Sequence, residues 1–349
     1  MAKKEKSEFD QIISDFGNVI KSGISVADSK PTIIPISPSL DIATGGGFHD
    51  GCTITLAGPA KCGKSLTSLW MAANAQKLEY TIPQCPLGRE VFYFDIEARL
   101  KPRDLHGVPH LDLSRFTIIG SSANDLDGKG GKILMAQDYL SIAEKIIHQK
   151  PGAVIIMDSF TALVTEEEYQ GSMNDMQRAS GAKLLYKFFR KISNVIPVQK
   201  TILLGICHVI ANPQMGSPNT TASGRAVQYF SDYNLLCKYI SLIKPGGKDS
   251  TDNPIGQEVH WQIVCSGLGG PGATPTGIIK YGRGIDKEEE LANLCVDLGI
   301  ISKSGSWFSF PGDDKKLQGI EKVRLHLVET PQLYEDLFKQ VKDLMGIQH

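Results

Sequence analysis

The chain has 349 residues, of which 41% are hydrophobic, and 37 Lys plus Arg against 38 Asp plus Glu leave a formal charge of -1. That length and apolar fraction suffice for one large core with small attachments, while the balanced charge excludes a bulk cationic field, so any polyanion must be met locally. The 7 Cys are odd in number and never spaced CxxC, which argues against a disulfide frame or a zinc site; with no apolar run long enough to span a bilayer and no apolar stretch after the charged N-terminus, a soluble protein of the cytoplasm or a host-cell interior is expected, with no membrane partner.

Taken in order, residues 7–22 place Phe9, Ile12, Ile13, Phe16, Val19 and Ile20 at helical spacing. Such a stripe either folds back on its own core or docks on a neighbouring subunit. The stretch SPSLDIATGGGFHDG follows, its glycines read as tight turns. Cys52 to Ala57 is then a β-branched, apolar strand, and Gly58 to Ser65 reads GPAKCGKS, which fits GxxxxGK[ST]. Leu66 to Leu78 continues as a helix without Gly or Pro. Strand, glycine loop, helix is the order a phosphate cradle needs. The alternative is a Gly-rich turn before an ordinary helix. In the cradle, the amides of Ala60 to Lys64 converge on phosphate oxygens at the positive end of the helix. Lys64 then reaches the β and γ phosphates, and the Ser65 hydroxyl ligates Mg²⁺. The nucleotide-binding set is Gly58, Pro59, Ala60, Lys61, Cys62, Gly63, Lys64, Ser65 and Leu66.

Strands are expected at Glu90 to Asp95, Phe116 to Ile119, Ala153 to Asp158 and Thr201 to Cys207, with helices over 133–148 and 178–193 between them. Alternation of apolar strands with helices predicts an α/β fold, a mostly parallel sheet flanked by helices, with ligands beyond the strand C-termini. From Ser231 onward the pattern changes to strands at 233–240, 258–265 and 277–281, read as extra edge strands, some antiparallel. A helix over 288–298, an aromatic hairpin at Trp307 to Phe310 and a helix over 332–345 close the chain. The expected organisation is an N-terminal arm over 1–35 that serves oligomerisation, a nucleotide-binding core over 36–286 and a small C-terminal appendage over 287–349.

A triphosphate site also needs a second carboxylate on the magnesium side and a group that orients water. Asp158, after five apolar residues, fits the first role, its alternative being a loop cap. Glu97 is the candidate base; it lies two residues past Asp95, so strand alternation would turn both to one side. Acidic residues at strand ends are otherwise often only solvated. His208 directly follows another core strand and would contact the γ phosphate, or is an ordinary polar terminus.

The ordered set SPSLDIATGGGFHDG, GPAKCGKS, VFYFDIEARL, AVIIMDSF, ILLGICHV, TTASGRAVQYF and IKYGRGIDKEEELANLCVDLGIISKSGSWFSFPG resembles the RecA-type recombinases over residues 36 to 345. His208 makes the likeness closer to the phage UvsX branch. The resemblance implies a RecA-like core that hydrolyses ATP with Mg²⁺, coats single-stranded DNA as a helical filament and exchanges strands with homologous double-stranded DNA, aided by single-strand-binding and loader proteins. It makes Glu97 and Lys64 catalytic, Asp158 and Ser65 the metal-side residues and His208 the γ-phosphate sensor, and it puts Tyr281 near the base. It also makes the loops after Asp158 and His208 the DNA contacts, through Arg178 and Lys183 beside the first and Asn212, Thr220, Thr221, Gly224 and Arg225 in the second. One departure stands out. Where relatives carry two basic residues that reach a neighbour's γ phosphate, this chain reads Cys265-Ser266-Gly267, so Lys280 or Arg283 substitutes, a monovalent ion does, or hydrolysis is slow. Lys101, where bacterial RecA is acidic, puts base selectivity in question. Two rival readings stay open: a nucleotide-switched DNA-coating or scaffold protein with little hydrolysis, and a helicase motor on the same core.

Overall fold

The computed structural model describes residues 14, 15, 17, 21, 23–28, 30–122, 131–172, 180–210, 220, 221, 225–246, 250–311 and 316–347. The amphipathic stripe expected over 7–22 lies outside them. The chain parts into two units, Met1–Thr32, which holds the short helix α1 (Gly23–Ala27), and Ile33–His349.

The second unit opens with β1 (Ile33–Ile34), α2 (Pro38–Thr44) and β2 (Phe48–His49), β1 and β2 pairing antiparallel. The turns expected at the glycines are present, Gly45, Gly46, Gly47 and Gly51 all having positive φ, while the helix α2 before them was not anticipated. Pro38 occupies its first turn, and Gly45, at φ +84°, closes it with the Gly46 N–H returning to the Asp41 carbonyl at 2.6 Å. Pro at the start and Gly past the end is a helix signature in miniature.

The core alternates β3 (Cys52–Gly58), α3 (Lys64–Ala75), β4 (Val91–Asp95), α4 (Pro102–His106), β5 (Phe116–Ile119), α5 (Ala136–Gln149), β6 (Val154–Asp158), α6 (Glu166–Gln170), α7 (Ser180–Ile192), α8 (Val195–Gln199) and β7 (Ile202–Ile210). Then come β8 (Thr220–Thr221), α9 (Arg225–Phe230), β9 (Tyr233–Ile243), β10 (Gly256–Cys265), β11 (Thr276–Lys280) and β12 (Gly284–Ile285). The sheet runs β12-β11-β10-β9-β3-β7-β6-β4-β5, with β8 on β7. From β9 through β5 the neighbours are parallel, and from β9 to β12 they are antiparallel. The antiparallel edge expected after Ser231 is therefore present.

The central strands read as continuous apolar runs because both sheet faces are covered. Val154 and Ile156 of β6 enter one core cluster while Ile155 and Met157 enter the other. The register then decides what the strands deliver: Gly58 of β3 sits opposite His208 of β7, and Asp95 of β4 opposite Asp158 of β6. The four positions thus gather at the C-terminal ends of neighbouring strands, the Gly58–His208 pair two residues beyond the Asp95–Asp158 pair.

The last part comprises α10 (Lys287–Asp297), a three-stranded sheet of β13 (Ser302–Ser304), β14 (Trp307–Ser309) and β15 (Lys316–Gln318), then α11 (Ile320–Glu329) and α12 (Pro331–Leu344). Leu291, Phe308, Val323 and Leu337 lead its own core cluster. The expected hairpin is one strand of that sheet, and α11 is a helix the periodicity reading passed over. Among the described residues no helix is long and apolar enough to cross a membrane.

Candidate nucleotide-binding site

The phosphate loop turns sharply between β3 and α3, with Lys61 at φ +62° and Gly63 at φ +88°. A side chain on Gly63 would be strained and would put its Cβ 2.4 Å from Ile279 Cδ1. Glycine therefore lets α3 begin at Lys64 itself, with its first N–H groups free to face an anion. Lys64 is 5% exposed and folds back, its Nζ donating to the carbonyls of Gly58 at 3.0 Å and Pro59 at 2.6 Å. Those bonds hold the ammonium ready beside the cradle.

One wall is tied to the loop from the far sheet edge. Gln257 Nε2 donates to the Lys61 carbonyl at 3.1 Å, and Tyr281 OH donates to Gln257 Oε1 at 3.1 Å. Tyr281, Leu66, Ser65 and Asp158 line one cleft of about 540 Å³ together with Arg99, Leu100, Arg103 and Asp104. The cleft has the volume of a small-molecule site.

Asp158 ends β6 and receives two hydroxyls on one oxygen, Ser65 Oγ at 2.6 Å and Tyr93 OH at 2.6 Å. Burial pushes its carboxyl above the ordinary range, and the two hydroxyl bonds only partly offset that. A half-buried carboxylate facing a serine hydroxyl is a hard oxygen donor set, the kind a magnesium ion takes when phosphates and water supply the remaining ligands. Among the described residues no cluster of three or more His, Cys, Asp or Glu side chains offers a self-sufficient metal cage, so Ser65 and Asp158 fit a shared ion rather than a resident one.

Glu97 does not follow strand alternation. Asp95 is the last residue of β4, and its carboxylate accepts the backbone N–H groups of Arg99 at 2.9 Å and Leu100 at 3.2 Å, which closes a turn. Glu97 lies inside that turn and points elsewhere, so the expectation that the two face one side is corrected. Its Oε1 accepts Ser159 Oγ at 2.6 Å and faces His208 Nε2 at 2.8 Å, while Oε2 pairs with Arg99 at 2.9 Å. Burial acts to raise the Glu97 carboxyl, but the bonds from Ser159 and His208 and the Arg99 charge together hold it below the ordinary range.

The structure thus brings Lys64, Ser65, Asp158, Glu97, His208 and Tyr281 to one sheet edge. Four residues that complete the arrangement were missed: Ser159, Tyr93, Arg99 and Gln257. Tyr93 lies two positions before Asp95 and Ser159 directly after Asp158, so strand-end neighbourhood was an available signal for both; Gln257 meets the loop only through the fold.

Of the expected DNA contacts, Arg178, Asn212 and Gly224 lie outside the described residues. Thr220 and Thr221 form β8 against Ile210 and Val209, Arg225 opens α9, and Lys183 is exposed on α7. At the departure noted above, Cys265 ends β10, and the turn after it is pinned to the end of α2, Ser266 Oγ donating to the Thr44 carbonyl at 3.2 Å and accepting the Gly269 N–H at 2.9 Å. Lys280, a candidate substitute, is already paired with Glu289 at 2.8 Å.

The family model described as RecA N-terminal domain matches residues 132–286, and that described as RecA C-terminal domain matches 289–346. Protein RecA of Lactobacillus johnsonii is 30% identical over 99% of this chain and 91% of its own length. The chain belongs to the RecA family. Protein RecA of Aquifex aeolicus is 31% identical, with 90% of this chain and 84% of that protein covered, and Protein RecA of Geobacter sulfurreducens is 29% identical, with 97% and 93% covered. Each of these RecA relatives is matched over at least 90% of this chain. The finer likeness to UvsX rests on His208 alone.

Proposed function

We propose that this RecA-family chain, an ATP-dependent DNA recombinase, binds ATP in the cleft between the phosphate loop and Tyr281 and splits it with a water activated by Glu97. The observation that carries this reading is the shared edge at which Ser65, Asp158, Glu97 and His208 meet within hydrogen-bond reach across three strands. Lys64 leaves the loop carbonyls for the phosphates, where its charge offsets that developing on the transferred group. Mg²⁺, held by Ser65 and Asp158, would neutralise phosphate charge and orient the chain of phosphates. Glu97 takes a proton from water as its oxygen attacks the γ phosphorus, the bond from that phosphorus to the bridging oxygen breaks and ADP leaves, while His208 and Arg99 keep the carboxylate ionised and aimed.

DNA would be bound by the loops that follow Asp158 and His208, with Lys183 and Arg225 at their borders. A neutral chain gains little from one such contact, so affinity would come from repeating it along a filament. An interface that does not close into a ring builds that filament, and residues 1–35 are the segment proposed to reach the next protomer. Single-strand-binding and loader proteins are the accessory partners this reading carries. The core over 36–286 and the appendage over 287–349 would then divide catalysis from a separate surface.

The test is strand exchange with homologous and heterologous duplex in the presence of ATP. Joint molecules formed only with the homologous duplex support the reading; coating without joint molecules supports the second one, a nucleotide-switched scaffold. That second reading is favoured by one observation: the 265–267 turn offers no cation and Lys280 is engaged with Glu289.

A further inference from the structure

The thiols of Cys62 and Cys237 take no part in the steps above; only the Cys62 backbone belongs to the phosphate loop. Cys62 lies inside the phosphate loop; Cys237 lies on β9, one residue beyond the Ala57–Leu236 pair that joins β9 to β3. Both are fully buried. A methyl group on Gly58 would lie 2.9 Å from Cys62 Sγ and 2.7 Å from Cys237 Cβ, so the two side chains converge on one point from the loop and from the adjacent strand. Lys64 Nζ stands 3.7 Å from Cys62 Sγ. An ammonium at that distance favours the thiolate, the form that reacts with oxidants. The loop residues before Cys62, Pro59, Ala60 and Lys61, are exposed.

We propose that Cys62 and Cys237 form a reversible disulfide that locks the phosphate loop to the sheet and shuts the ATP site under oxidation. The oxidant class is a peroxide. The Cys62 thiolate attacks one oxygen of hydrogen peroxide, forming a sulfenic acid and releasing hydroxide, which takes a proton to become water; the Cys237 sulfur then attacks the sulfenic sulfur, the S–O bond breaks, and a second water leaves. Two thiols give up two electrons and two protons, and one peroxide becomes two waters. A dithiol reverses the bond by exchange. The hydrogen bond from Cys237 and the Lys64 charge, working against burial, already draw the Cys62 thiol down to about 7.

The lock follows from where Lys64 now lies. To follow a triphosphate it must leave the Gly58 and Pro59 carbonyls and the Cys62 sulfur. A bond from the loop's centre to β9 holds the loop in the arrangement that buries this lysine. By linkage, bound ATP protects the thiols as strongly as the disulfide excludes ATP. The inference rests on the reading that this loop binds ATP.

The test uses the full chain carrying Cys265→Ser, which removes the exposed thiol that would otherwise cross-link copies. It is treated with hydrogen peroxide with and without ATP and Mg²⁺, digested without reductant and searched by mass spectrometry for the peptide joining Cys62 to Cys237, while binding of a fluorescent ATP analogue is measured in parallel. The linked peptide should form without ATP and be suppressed by it, the affinity should fall more than about tenfold, and dithiothreitol should restore it. Cys237→Ser, or Cys237→Ala should the serine variant not fold, should keep its affinity after peroxide. No linked peptide, a linked peptide with unchanged affinity, or equal loss in the Cys237 variant overturns the inference. A reduced chain that binds no nucleotide would instead contradict the reading of the site, while the peptide arm still decides whether the bond forms.

Discussion

His208 Nε2 lies 2.8 Å from Glu97 Oε1, and the two residues are also joined the other way round: the His208 N–H donates to Thr161 Oγ1 at 3.3 Å, Thr161 meets Ser159 at 2.8 Å, and Ser159 donates to Glu97 at 2.6 Å. This ring closes between β7, the segment after β6 and the turn after β4, two residues before β7 ends at Ile210. If His208 is the γ-phosphate sensor that the resemblance implies, its state would pass through this ring toward the residues that follow β7. His208→Ala should therefore keep ATP binding within about twofold while losing about tenfold or more of the stimulation by single-stranded DNA. Nucleotide titration and ATPase assays with and without DNA check both halves.

Arg99 contributes to the acid side of the pH profile, after Ser159 and His208. Glu97 is a base only when ionised, and its lowered pKa keeps it so further into acid; activity is lost as pH falls through that folded value. Arg99→Ala removes one of the groups that lower it, so the acidic limb of kcat/KM should move toward neutral pH. Because Arg99 is 75% exposed, the shift should shrink as salt rises. A profile unchanged at low salt would show that Arg99 does not act on Glu97.

Phe160 constrains Gly205. A Cβ on Gly205 would come within 1.8 Å of the Phe160 ring, which is 2% exposed and packed on Phe189 with centroids 5.6 Å apart. Gly205→Ala should cost about 1–3 kcal/mol of stability by overpacking and should displace neighbouring Ser159 from Glu97, slowing hydrolysis more than nucleotide binding. Denaturant melts and steady-state kinetics on the same preparation measure the two effects.

Glu290 ties α10 to the core, accepting Ser39 Oγ at 2.6 Å, the Ser39 N–H at 3.2 Å and the Ile278 N–H at 2.8 Å. Burial raises its carboxyl. A raised folded value means that the native state holds a proton the unfolded chain has released, so this contribution is full below the ordinary Glu range and is lost as pH rises through the folded value. Glu290→Gln should flatten that fall in Tm with pH, with Asp41 and Asp286, also raised by burial, contributing what slope is left.

Much of this was legible from residue order because it is local. β3, β6 and β7 are buried on both faces and so announce themselves as apolar runs, and the loop Gly58 to Ser65 carries its own spacing. α2 was lost because seven residues give too little periodicity, although Pro38 and Gly45 marked its ends. Glu97 was placed by strand alternation, yet β4 stops at Asp95, whose carboxylate serves backbone N–H groups. Gln257 and the Cys62–Cys237 pair depend on strands that meet only in the sheet, and no spacing could show them, whereas Ser159 stood directly after Asp158 and could have been read from it. Tyr281 came from resemblance, and the structure ties it to the phosphate loop through Gln257.

The most direct measurement is nucleotide affinity and single-turnover ATP hydrolysis of Glu97→Gln, side by side with Lys64→Ala and with DNA present. If main-chain amides and Lys64 grip the triphosphate while Glu97 aims water, Glu97→Gln binds ATP within about twofold of the unmodified chain and hydrolyses it at least about 100-fold more slowly, whereas Lys64→Ala loses both. Hydrolysis by Glu97→Gln within a few-fold of the unmodified rate would contradict the assignment.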